Sequence, residues 1–76
     1  MTARERALKL YPIYAEARDK KGMTDYQVAD KAEIPSSAIY DWKYGSYTPN
    51  INKLAKIANV VDLPLTAFVI DEKEDA

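Results

Sequence analysis

Over residues 36–44 the chain places hydroxyls, phenols and a carboxylate at intervals that share one side of a helix, with Ser37, Tyr40, Asp41 and Tyr44 at i, i+3, i+4 and i+7. Groups of these types can donate to and accept from the edges of nucleic-acid bases. The plainer reading of the same spacing is a solvated helix face. Ala38, Ile39 and Trp42 recur on a second stripe, so one side of this helix is expected to be buried, with Ile39 and Trp42 in the core. Other chemistry is scarce. Without cysteine there is neither a disulfide framework nor a thiolate site, and without histidine the usual base and metal ligand at neutral pH is missing. The twelve acidic residues are scattered and form no catalytic motif. An enzyme is therefore not expected, and neither is a metal site, a cofactor or a small-molecule ligand.

The elements that must position this face can be read from local signals. Residues 24–45 read as helix, tight turn, helix. Thr24 and Gln27 have the spacing of a capping box, so a helix should begin at Asp25, with Val28, Ala29 and Ala32 on its buried side. Glu33, Ile34 and Pro35 leave room only for a tight connection, Ile34 being the apolar plug beneath it. Gly45 fits a left-handed cap, and residues 46–49 read as a loop. Asn50 is a suitable N-cap for a fourth helix with Ile51, Leu54, Ile57, Ala58 and Val61 at helical spacing. A last short helix from about Leu65 to Val69 would close the core with Leu65, Phe68 and Val69. Upstream, Ile13, Tyr14 and Ala17 form the apolar stripe of a first helix that ends at Gly22. Pro12 allows two shapes: a helix starting there with an arm or short helical turn before it, or one long helix that kinks there. The expected architecture is all-α, with five helices in a single domain over residues 1–76. Residues 1–11 would be an N-terminal arm or short helix, 12–70 the folded core and 71–76 an acidic tail.

A chain of 76 residues buries only about 60% of the surface its unfolded form exposes, which leaves little room for a cleft. The net charge of −1 argues against indiscriminate binding of polyanions. The distribution softens that objection. Residues 1–21 carry six bases and three acids, and residues 1–70 carry ten bases and eight acids, net +2. No apolar run approaches a membrane span and no signal-peptide pattern opens the sequence, so a cytoplasmic protein without a membrane partner is expected.

The ordered set of Gly22, Met23 and Thr24, residues 28–32, residues 34–42, Gly45 and Pro49 resembles the lambda-repressor-like, Cro-type helix-turn-helix family. Residues 54–58 and 61–65 are similar to that family's fourth and fifth helices. The resemblance implies a bacterial or phage-encoded DNA-binding regulator, usually a homodimer on a double-stranded operator, whose second helix of the unit enters the major groove. By position it assigns base reading to Ser36, Ser37, Tyr40 and Asp41, and phosphate contacts to Thr24, Lys43, Tyr44, Ser46, Tyr47 and Thr48. Arg4, Arg6 and Lys9 would add contacts from an arm. The sequence also departs from the family's pattern. Asp25 stands where a phosphate-gripping glutamine is common, and Glu33 where the turn commonly has glycine. For Asp41 the alternative to reading bases is an ion pair with Arg18 or Lys43. For the whole chain, the alternative is a protein-interaction module, antitoxin-like or adaptor, that uses the surface of Tyr40, Tyr44 and Tyr47.

Overall fold

A computed structural model describes residues 2–69; Ile70 and the expected acidic tail lie outside the described residues. Among them are four α-helices, α1 (Ala3–Lys20), α2 (Asp25–Ala32), α3 (Ser36–Lys43) and α4 (Ile51–Val60), and one 3-10 helix (Leu65–Phe68). The described residues are all-α as expected, but the fifth element is a single 3-10 turn. Pro64 fixes its entry, and its closing bonds run over three residues, from Ala67 N–H to the Pro64 carbonyl and from Val69 N–H to Thr66.

Of the two shapes that Pro12 allows, the chain adopts the single helix. Thr2 caps α1 by accepting from the Glu5 amide, and the helix continues through Pro12 to Lys20. The hydrogen bond that proline cannot make belongs to Leu8, and both residues are exposed, so the gap lies on the solvent side of the helix. On the other side Ala7 and Leu10 are buried with Tyr14 and Ala17. The apolar burial gained by continuing N-terminal to Pro12 offsets the lost bond. Residues 2–11 therefore do not form a detached arm, and Arg4, Arg6 and Lys9 stand on α1.

α1 packs on α3, α2 packs on both α3 and α4, and the 3-10 helix closes against α4 and α1. The centre is Trp42, fully buried, with Tyr14 stacked on it at 5.2 Å between ring centroids and Tyr11 and Phe68 edge-on. Ile39, Val28, Ile57 and Leu10 fill in around it. Ile34 is buried beneath the turn, as the sequence suggests. Three apolar residues expected inside are not: Ile51 is 59% exposed, Val69 67% and Leu65 36%. Ile51 and Leu65 are the first residues of their elements, and Val69 follows the last residue of the 3-10 helix. Val61 and Phe68, by contrast, are consumed by the core.

Candidate nucleic-acid interface

The helix-turn-helix unit is built from its caps inward. Thr24 accepts from the Gln27 amide at 3.1 Å, while Gln27 Oε1 accepts from the Thr24 amide at 3.0 Å, closing the capping box that starts α2. α2 ends at Glu33, which takes the left-handed conformation (φ 60°) so that the Ile34 amide can reach back to the Ala29 carbonyl. Pro35 then leads into α3 without a side-chain cap. α3 ends where Gly45, at φ 81°, lets the Ser46 amide bond the Asp41 carbonyl at 2.8 Å. A Cβ at Gly45 would stand 2.9 Å from the Arg4 side chain, so the end of α3 is packed directly on the first turn of α1.

A polar hub fixes the start of α2 against α1. The Tyr14 hydroxyl donates to Asp25 Oδ1 at 2.5 Å and Arg18 Nη1 donates to the same oxygen at 2.7 Å, with the Tyr11 hydroxyl 3.5 Å from Oδ2. Burial alone would raise the Asp25 carboxyl. The hydrogen bonds from Tyr14 and Arg18, together with the Arg18 charge, outweigh it and hold the group below the ordinary carboxylate range. The Tyr14 phenol is pushed far above its usual range, first by burial and then by its bond to Asp25. Arg18 is held charged, chiefly by its bond to Asp25. The charge of Asp25 is thus engaged inside the fold. This also settles the place of Arg18: it pairs with Asp25 and Asp19, and not with Asp41.

The outward side of α3 is uncovered. Ser36, Ser37, Tyr40, Asp41, Lys43 and Tyr44 are all exposed, and Ile39 and Trp42 point the opposite side of the helix into the core. Tyr40 and Tyr44 pack on each other with ring centroids 4.8 Å apart, and the Lys43 ammonium lies 5.6 Å from the Tyr44 ring centroid. Asp41 forms no ion pair among the described residues, with Lys43 or any other base. Ser46 and Thr24 are exposed at the two flanks of the unit. Tyr47 is half-buried, with the Lys53 ammonium 3.2 Å from its hydroxyl, which brings a base of α4 to this loop. Thr48 donates its hydroxyl to the Ala3 carbonyl at 3.2 Å and so ties the loop to α1.

One residue of this surface escapes the sequence reading. Tyr26, 72% exposed on α2, borders a shallow depression of about 100 Å³ with Ser36, Asp30, Ala29 and Ile34. Its signal is visible in retrospect: it is the one aromatic of α2 that falls outside the Val28, Ala29 and Ala32 stripe.

A short capped helix, a three-residue turn and a second helix with a free polar face define a helix-turn-helix unit. The Helix-turn-helix family model matches residues 15–68, well over half of the chain. The chain belongs to that family, in its Cro/C1-type, lambda-repressor-like form. DNA binding in transcription regulation is the activity of the family. No curated protein and no solved structure matches the chain significantly. No helix of the described residues is long and apolar enough to cross a membrane.

Proposed function

We propose that the protein is a sequence-specific DNA-binding repressor of the prophage or mobile-element kind. In this reading a homodimer sets α3 of each copy into successive major grooves and occupies an operator, excluding polymerase. The observation that carries the reading is the uncovered face of α3, with Ser36, Ser37, Tyr40 and Asp41 all open to solvent on a helix pinned from behind by Trp42. Phosphate contacts fall to Thr24 and the amides at the start of α2 on one flank, and to Lys43, Tyr44, Ser46, Tyr47 and the main chain of Thr48, whose hydroxyl is given to Ala3, on the other. Engagement of Asp25 by Tyr14 and Arg18 supports this, because the Arg18 charge beside the carboxylate offsets its repulsion of a phosphate there. Arg4, Arg6 and Lys9 add positive charge along α1.

One copy reading one half-site would bind weakly, so the function needs two. Ile51 and Val69 are exposed beside a groove of about 660 Å³ that also takes in Leu54 and Phe68, which gives apolar area for a contact between copies. Selection of bound duplexes from a random pool, followed by titration of the selected and a random duplex over a salt series, tests the reading. A selected consensus bound more tightly than random DNA, with affinity falling as salt rises, is the expected result. Absence of any salt-sensitive duplex binding refutes it.

A second reading, a protein-interaction module, is favoured by one observation: Tyr26, Tyr40 and Tyr44 are all more than half exposed on the unit. Binding to a protein partner that persists with no affinity for duplex DNA is the outcome that would favour it.

A further inference from the structure

The outward face of α3 also restricts which bases it can recognise, an inference that rests on the DNA-binding reading above. Purines are commonly recognised through paired hydrogen bonds, guanine by Arg or Lys and adenine by Asn or Gln. None of these types stands at positions 36, 37, 40, 41 or 44. The face presents instead two phenol rings in mutual contact, 63% and 52% exposed, with centroids 4.8 Å apart and planes inclined at 53°. Together they form an apolar ledge one helical turn long. In the major groove, the base feature that an apolar surface recognises is the C5 methyl of thymine.

The dimensions agree with that match. Four residues of α-helix advance about 6 Å, and neighbouring bases on one strand are about 3.4 Å apart, so the ledge spans about two base steps. Asp41 sits beside the ledge, one residue after Tyr40 and three before Tyr44, with no ion pair among the described residues. Its carboxylate only accepts. It disfavours the O6 and N7 acceptors of guanine and accepts from an exocyclic amino group, cytosine N4 first and adenine N6 second, so the thymine preference rests on the two rings and not on Asp41.

We propose that the rings of Tyr40 and Tyr44 form a thymine-methyl ledge, the Tyr44 hydroxyl alone remaining for the phosphate contact, so that recognition of the operator depends on C5 methyl groups at two neighbouring pyrimidines. The test uses the wild-type protein and three duplexes at one salt concentration: the duplex selected from a random pool, the same duplex with deoxyuridine in place of thymidine, and a random duplex. Removing two buried methyls should weaken binding of the selected duplex about tenfold. In the Tyr40→Ser, Tyr44→Ser double variant, whose changes lie on the exposed face, the thymidine and deoxyuridine duplexes should bind alike. Circular dichroism confirms that the variant is folded. Equal wild-type affinity for the thymidine and deoxyuridine forms, with preference over random DNA retained, overturns the ledge and leaves the DNA-binding reading standing. A selected consensus without thymine also overturns it. Failure to bind any duplex overturns both.

Discussion

The hydroxyl of Tyr14 lies 2.5 Å from Oδ1 of Asp25, and the ring that carries it is stacked on Trp42. One side chain of α1 thereby touches the first residue of α2 and the buried centre of α3. The orientation of the two helices of the unit is set through α1 as well as through the turn between them. Arg18 completes the arrangement at 2.7 Å from the same oxygen.

Replacing Asp25 with Asn removes the charge that Arg18 faces and should cost about 1–2 kcal/mol at neutral pH. The carboxylate is 37% exposed, and solvent screening keeps the loss at this modest level. The Asp25 carboxyl titrates below its unfolded value of about 3.9, so its contribution is complete above that pH and is lost as pH falls through the folded value. Urea unfolding followed from pH 7 to pH 2 should show a fall in wild-type stability below about pH 4 that is smaller in Asp25→Asn.

Glu33 is a left-handed residue whose exposed side chain makes no bond among the described residues. Glu33→Gly should stabilise the protein by about 0.5–1 kcal/mol, relief of the left-handed strain exceeding the added freedom of the unfolded chain. Gly45→Ala should do the reverse. It adds a Cβ at φ 81° and brings it within 2.9 Å of Arg4, so a loss of at least about 1 kcal/mol is expected. Thermal unfolding of the two variants beside wild type checks both signs.

Trp42→Ala would empty the space against which Tyr14, Tyr11 and Phe68 pack. A loss of about 3–5 kcal/mol is expected, a large share of the stability of so small a domain. The measurement is calorimetry, with a greatly lowered or vanished transition as the result.

Two sets of surface substitutions separate base reading from phosphate contact. Ser37→Ala with Tyr40→Ala should reduce the ratio of affinities for the selected and random duplexes, since both residues are exposed on the outward face of α3. Lys43→Ala should weaken both duplexes about equally and lower the salt dependence by about one unit per copy. Equal losses from the two sets would show that this face does not read bases.

The parts of this fold that could be read directly are those fixed by neighbours in sequence. Thr24 and Gln27 form their capping box, Asn50 caps α4, and Gly22 and Gly45 end their helices, each through residues no more than a few positions away. What depends on distant neighbours was less legible. The local penalty at Pro12 suggests a break, and only the burial of Ala7 and Leu10 against other helices explains why α1 continues. Periodicity places Ile51 on the apolar stripe of α4 but does not show that the residue stays exposed at the helix start. The partner of Arg18 could not be chosen from charge alone, since Asp25 and Asp41 both lie downstream, and only the packing of α1 on the unit brings Asp25 within reach. The residues of the outward face of α3 are legible from spacing, whereas Tyr26 joins them only through the angle between two helices.

The contact of Gly45 with Arg4, and of Thr48 with the Ala3 carbonyl, places the end of α3 and the loop after it beside the N-terminal turn of α1. A bulky label carried at Arg4 would stand at this same corner and crowd it. A small dye attached at the same point would be well placed to report changes in the loop by its emission, leaving the outward face of α3 unlabelled.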